Sequence, residues 1–434
     1  MNFRSTRERA PALGLGEALA AGLAPDGGLY VPQELPHLSA EDFAGRDSLA
    51  DVSATLLRPF FARDALAAAL DAICADALAL PAPLRAIAPR TQLLELFHGP
   101  TAAFKDFGAR FLAACLAARH GPGDAPLTVL VATSGDTGAA VAAAFHRRPG
   151  FRVVILYPDG RVSPRQAHQL GCFGDNVQAL RVAGSFDDCQ ALAKRALADA
   201  ALKERTPLTS ANSISLGRLL PQMSYYALAA LAHWRRHGEV LNFVIPTGNL
   251  GNALACMLAR AIGLPIGAIA LATNANRVLP EFFAGAEYAP RASVPTLANA
   301  MDVGAPSNFE RLRWLYPDAA ALRSAFTAEA VEDAEIRNVL RGCRERYGTL
   351  VCPHTATALR VLERLRTRGD ERDYAVAATA HPAKFDEVIE PLIGQPIQVP
   401  AALAALLERP SRAEPLAADY AALRARLEAP AAAP

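Results

Sequence analysis

No Cys-x-x-Cys pair occurs among the seven cysteines of this 434-residue chain, so neither a zinc ribbon nor a disulfide framework is supported, and no metal site is expected. The seven are scattered, at Cys74, Cys115, Cys172, Cys189, Cys256, Cys343 and Cys352. They read as small core residues of a protein kept in a reducing, cytoplasmic environment. Net charge is nearly absent: 44 Lys+Arg stand against 43 Asp+Glu. Without a clustered basic face, a nucleic-acid partner is not expected. No long apolar run is free of charge. The alanine-rich stretch from Ala65 to Leu80 carries Asp71 and Asp76, so it reads as a packed helix and no membrane span is expected. Glu8 and Glu17 interrupt the N-terminal arginines, which argues against a targeting segment. The phosphate-binding Lys-Ser/Thr ending is missing, and Gly14-Leu15-Gly16 has no strand before it, so a nucleotide-binding oxidoreductase is poorly supported.

Apolar residues make up 52% of the chain and aromatics only 7%. Alanine and leucine therefore supply the core, which suits a large, helix-rich fold. A helical segment is expected from about Ser48 to Leu80, and Pro81, Pro83 and Pro89 mark a connection after it. From Leu127 onward the pattern is strand, polar or glycine loop, helix. Strands are expected at Leu127–Ala132, Val153–Tyr157, Val177–Val182, Asn242–Ile245, Ile266–Ala272 and Tyr374–Thr379. Short apolar strands alternating with helices imply parallel sheets covered on both faces. Short helices are expected after Pro400, and the last five residues, Pro430 to Pro434, are expected to fray.

Three loops have the composition of anion cradles. Thr133-Ser134-Gly135-Asp136-Thr137-Gly138 follows the first of these strands and opens a helix. It is either an ordinary capped turn or a site where hydroxyls and backbone amides meet an anion. Pro246-Thr247-Gly248-Asn249-Leu250-Gly251-Asn252 packs two glycines and two asparagines between a strand and a helix, which suits a backbone cradle for phosphate. Ser210 to Arg218 leads into a helix expected from Gly217. Arg218 would oppose that helix's dipole unless an anion offsets it, and its fork suits a phosphate; the alternative is a surface arginine with an acidic neighbour. His354, His381 and Lys384 are either site residues or solvated loop residues.

Lys105 lies in the run Phe97-His98-Gly99-Pro100-Thr101-Ala102-Ala103-Phe104-Lys105-Asp106-Phe107-Gly108. An amine in apolar surroundings loses its proton more readily, so this lysine is a candidate for imine chemistry with a cofactor such as pyridoxal phosphate. The alternative is a surface lysine at a helix start.

Taken together, these runs resemble the threonine synthase family. The likeness extends from Phe3-Arg4-Ser5-Thr6-Arg7, through Asp26-Gly27-Gly28-Leu29-Tyr30, to Ala380-His381-Pro382-Ala383-Lys384, in the family's order. The resemblance implies an α/β fold of two lobes, the type II pyridoxal-phosphate fold related to the tryptophan synthase β subunit. It implies an N-terminal extension over 1–90, a large cofactor-binding lobe from 91–127 and 216–434, and a small α/β lobe over 128–215. The implied reaction converts O-phospho-L-homoserine and water to L-threonine and phosphate with pyridoxal 5'-phosphate, in a monomer or homodimer. Lys105 then matches the lysine that joins the cofactor. Gly248, Asn249, Leu250, Gly251 and Asn252 match the loop for its phosphate, and Thr379 the residue facing its ring nitrogen. Asn212, Ser213 and Arg218 match contacts to the substrate phosphate, and Ser134 and Thr137 the loop near the substrate carboxylate. Two positions depart from common relatives. Leu250 stands where many carry Phe, and Asp136 where many enzymes of the wider fold carry Asn beside the cofactor's 3′-oxygen. Two alternatives accompany this reading: a related pyridoxal-phosphate lyase or dehydratase, which would release a keto acid, and a non-catalytic sensor of a phosphorylated metabolite.

Overall fold

The computed structural model describes residues 1–121, 123–133 and 135–429. Two sheets organise it. One has six strands in the order Thr327–Ala330, Ile266–Thr273, Leu241–Pro246, Tyr374–Ala378, Thr91–Glu95, Leu84–Ala88. Its pairings are parallel except for the hairpin of the last two. The other has five parallel strands in the order Glu414–Ala417, Val177–Ala183, Phe151–Pro158, Leu127–Ala132, Leu208–Ser210.

The central strands of both sheets are buried on two faces, for a reason visible in their sequences: most positions are apolar, and alternate residues enter different cores. Val129, Val131, Val153 and Ile155 join the large central cluster. Their neighbours Leu130, Val154, Leu156 and Leu180 pack on the opposite face with Leu192, Leu423 and Leu427. In the larger sheet Phe243, Ile245 and Ala377 point one way, and Val244, Val376 and Ala378 the other. All seven cysteines are free and buried. Among the described residues no helix is long and apolar enough to cross a membrane.

Several expectations need correction. The helical segment from Ser48 is broken into Leu49–Phe61, a 3-10 turn at Ala65–Ala69, and Leu70–Ala77. Arg63 takes φ 67° between the first two, and Asp64 starts the next turn by accepting the Leu66 amide at 3.0 Å. The proline-marked connection contains the strand Leu84–Ala88. Its long-range partner Thr91–Glu95, and not its own composition, makes it a strand. The tail does not stay with the larger sheet, as a division at 216–434 implies. Glu414–Ala417 pairs in parallel with Val177–Ala183, and Leu423 and Leu427 of helix Tyr420–Glu428 bury against the smaller sheet. Residues 430–434 lie outside the described residues.

The N-terminal segment forms a separate antiparallel pair, Phe3–Ser5 with Tyr30–Pro32. Asp26 closes its turn by accepting the Ser5 hydroxyl at 2.7 Å and the Gly28 amide at 2.9 Å. This pair is fastened to the rest by Arg311, a buried arginine of helix Phe309–Leu315. Arg311 donates twice to the Tyr30 carbonyl, at 3.1 and 3.0 Å, and once each to the Ile214 carbonyl at 2.7 Å and Asn308 Oδ1 at 2.9 Å.

Candidate active site

Lys105 is the first residue of helix Lys105–Arg119. The chain reaches it through a tight turn with Ala102 at φ 54°. The Phe104 amide donates to the Thr379 carbonyl at 2.9 Å, and the His381 amide to the Ala102 carbonyl at 3.0 Å. These bonds fix Lys105 beside the carboxyl end of strand Tyr374–Ala378, where open α/β sheets place ligands. Burial lowers the Lys105 pKa to about 8; attraction from Asp136 opposes the fall, and repulsion from Arg218 and Lys384 adds to it. At pH 7.5 roughly a quarter of such amines are neutral, against about one in a thousand for an ordinary lysine. That is the range a proton-transferring amine needs.

The glycine loop after Leu241–Pro246 forms one wall. A Cβ on Gly248 would lie 2.8 Å from Met301 Cα, so only glycine lets the backbone pass. Leu250 adopts the left-handed φ of 64° as it caps helix Gly251–Ala261. The first bond of that helix runs from the Leu254 amide to the Leu250 carbonyl at 2.8 Å, which leaves the amides before it for an anion. Asn252 Oδ1 accepts the hydroxyls of Tyr225 at 2.6 Å and Tyr226 at 2.8 Å, while its buried Nδ2 has no protein partner. A cradle of donors with a buried unspent N–H fits a phosphate.

Arg218 forms a second, separate cradle with Asn212 and Ser213. It is 2% exposed. One N–H goes to the Ala211 carbonyl at 2.6 Å, and its Nε has no protein partner. Burial lowers its pKa to about 10, with Asp106 pulling the other way. Arg218 does not oppose a long helix dipole as expected: its helix, Leu216–Leu219, is a single turn, so desolvation rather than a macrodipole is what an anion would offset. Asn249 Nδ2 donates to Ser213 Oγ at 2.6 Å, and Asn308 Nδ2 to the Asn249 carbonyl at 3.0 Å. The two cradles are thus built on one frame, which Arg311 holds through Asn308.

Lys105, Asp136, Thr137, Asn212, Ser213, Arg218, Gly248, Asn249, Leu250, Gly251, Asn252 and Thr379 all line one cavity. Ser134 lies outside the described residues. Asp136 opens helix Asp136–Phe145 after Gly135, whose φ of 137° suits glycine. Desolvation resists ionisation of Asp136, but Lys384, Lys105 and the Gln166 amide together hold it well below the usual carboxylate range. His354 also lines the cavity. Its Nε2 accepts the Ala300 amide at 3.2 Å, and burial lowers its pKa to about 4. His381 instead serves the backbone, accepting the Ala383 amide at 3.2 Å and packing edge-on to Phe97. Lys384 is not a solvated loop residue: it is wholly buried. Gln166 and Asn299 escaped sequence reasoning; they hydrogen-bond each other at 3.1 Å and join Asp136 only through the fold.

Comparison with known proteins agrees along the whole chain. Residues 92–381 match the family model described as pyridoxal-phosphate dependent enzyme. Residues 2–78 match the threonine synthase N terminus and 355–426 the threonine synthase C-terminal model. The chain is 38% identical to threonine synthase of Serratia marcescens over 435 residues, covering 98% of each. The crystal structure of Escherichia coli threonine synthase superposes with a TM-score of 0.90 at 37% identity, covering 98% of this chain and 99% of that one. Pyridoxal-phosphate-bound threonine synthase from Brucella melitensis gives 0.88 at 35%, covering 99% of each. With the family models end to end and the fold shared, the chain belongs to the threonine synthase family of pyridoxal-phosphate-dependent enzymes.

Proposed function

We propose that this protein converts O-phospho-L-homoserine and water to L-threonine and phosphate. The observation that carries the reading is the pair of anion cradles flanking one perturbed amine. Gly248 to Asn252 offer amides and a buried, unpartnered Asn252 N–H; Arg218 offers a buried, unpartnered guanidinium N–H. A cofactor phosphate and a substrate phosphate need two such places, and Lys105 lies in the cavity they share.

Bound there, pyridoxal phosphate supplies the carbonyl that Lys105 engages and a ring that takes up electrons from the substrate's α-carbon. The protein supplies the rest. Gly248, Asn249, Leu250, Gly251 and Asn252 hold the cofactor's phosphate, and Thr379 meets its ring nitrogen with a neutral hydroxyl. Arg218, Asn212 and Ser213 hold the substrate's phosphate and receive it when it leaves the γ-carbon. Ser134 and Thr137 orient the substrate carboxylate. Lys105 Nζ takes the proton from the α-carbon and serves the proton transfers that let water add at the β-carbon. Asp136 stands as a negative charge beside that amine.

The test is direct. The purified protein, incubated with phosphohomoserine, is expected to yield threonine and free phosphate in equal amounts. Keto acid with phosphate would assign it to the lyases or dehydratases, and binding without turnover would make it a sensor.

A further inference from the structure

The chain uses lysine at only four positions, 105, 194, 203 and 384, among 44 basic residues. Arginine meets nearly every surface need for positive charge, so a lysine wholly inside the protein requires a reason. Lys384 sits in the 3-10 turn Pro382–Phe385 and has no exposed surface. Its ammonium is 2.8 Å from Asp136 Oδ1 and donates to the Thr101 carbonyl at 2.8 Å. A compact ammonium with three donors suits two acceptors at such range. Gln166 Nε2 holds the same Asp136 oxygen at 3.0 Å. Gln166 in turn accepts Asn299 Nδ2 through Oε1. Thr101 closes the other side, giving its amide and hydroxyl to Asp106 at 2.9 and 2.7 Å. Asp136 lines the cavity together with Lys105; Lys384 does not.

We propose that Lys384 is a positioning residue: it keeps the Asp136 carboxylate ionised and fixed at the start of its helix, so that a permanent negative charge faces the Lys105 nitrogen. The asymmetry of a buried pair supports this. A buried carboxylate without a partner takes up a proton rather than remain charged. Asp136 is only 3% exposed, so contact with water does little to spare it. Lys384 and Lys105 are the cations that act on Asp136. Lys105 alone cannot serve, because its own charge changes during the chemistry. Lys384 spans from the end of the large sheet to the first helix of the small one. The backbone beside it is bound across the same gap, by Arg165 donating to the Ala383 carbonyl and pairing with Asp386 at 3.2 Å. Of the other titratable groups, Lys105 and His354 feel both charges of the pair, Cys352 feels Asp136, and Asp106 feels Lys384.

The proposal builds on Lys105 as the cofactor lysine, but its test needs no substrate and so stands apart from the reaction assay. The visible absorbance of the holoenzyme is titrated with pH in wild type, Asp136→Asn, Lys384→Met and the double variant. Losing the negative charge destabilises the protonated nitrogen, so Asp136→Asn should lower the spectral midpoint by about one pH unit or more. Lys384→Met should lower it too, because Asp136 then becomes neutral. If Lys384 were only a nearby like charge, its removal would raise the midpoint; a rise or no change overturns the proposal. Should Lys384→Met not fold, Lys384→Gln takes its place, with the same fall in midpoint expected and a rise or no change overturning the proposal. In the double variant Asp136 carries no charge, so removing Lys384 lifts only its direct repulsion of Lys105; a midpoint below that of Asp136→Asn overturns the proposal as well.

Discussion

Replacing Arg218 with alanine should separate substrate binding from cofactor binding. The guanidinium has five donors, of which one is spent on the Ala211 carbonyl and another, Nε, is buried without a partner. A phosphate that takes two charge-assisted bonds from it gains ~1.5–3 kcal/mol from each. The sum, about 3–6 kcal/mol, is a factor of roughly 10²–10⁴ in affinity. Little of this is lost to desolvation on binding, because the folded protein has already withdrawn the side chain from water, leaving it 2% exposed. Among the described residues the Gly248–Asn252 cradle, proposed for the cofactor, makes no hydrogen bond to Arg218, so cofactor affinity should fall less than about tenfold. The assays are KM and kcat/KM with phosphohomoserine, and cofactor affinity by visible titration. A second perturbation leaves the charge in place. Gly108 packs so closely that a Cβ there would lie 2.8 Å from the Arg218 carbonyl and 3.0 Å from Nε. Gly108→Ala should therefore displace the guanidinium and raise KM with cofactor binding again spared. Equal losses of substrate and cofactor affinity in both variants would refute the division between two cradles.

Arg311→Leu should cost about 3 kcal/mol or more of stability, since it leaves the Tyr30 and Ile214 carbonyls and Asn308 Oδ1 buried without their donor; denaturant unfolding measures this, and cofactor affinity should fall with it. His354 is held neutral, with its pKa about 4 against an ordinary 6.5. In the folded protein it binds its proton later than in the unfolded chain. Its contribution is therefore complete above pH 6.5 and is lost as pH falls towards 4, by about 3 kcal/mol in all at 1.36 kcal/mol per unit. His354→Gln should flatten that acid limb in unfolding measured across pH, and an unchanged slope would remove His354 as its source. If Thr379 faces the ring nitrogen as proposed, Thr379→Asp puts a carboxylate in place of a hydroxyl there, and the bound cofactor's absorption or the product ratio should shift; no change in either would sink that role for Thr379.

Local chemistry made much of this protein legible before folding. Runs such as Leu127–Ala132 and Leu241–Pro246 carry one polar residue each, Thr128 and Asn242, and are otherwise apolar, and a strand that is apolar on both faces demands a covered parallel sheet. Gly248 to Asn252 announce a cradle because glycine and asparagine are the residues that open backbone amides to an anion. Lys105 stands out because its neighbours are apolar. What the sequence could not supply is everything that depends on which distant segment becomes a neighbour. Leu84–Ala88 and Glu414–Ala417 are strands only because a partner lies alongside. Arg218 reads in sequence as a residue at a helix start, yet a single turn and a carbonyl at its back decide its state. Lys384 and Asp136 are separated by most of the chain, and neither is unusual in its own run. Their pairing, and with it the charge that Lys105 faces, exists only where the two sheets meet, because Coulomb energy depends on distance and local dielectric and neither is written in residue order.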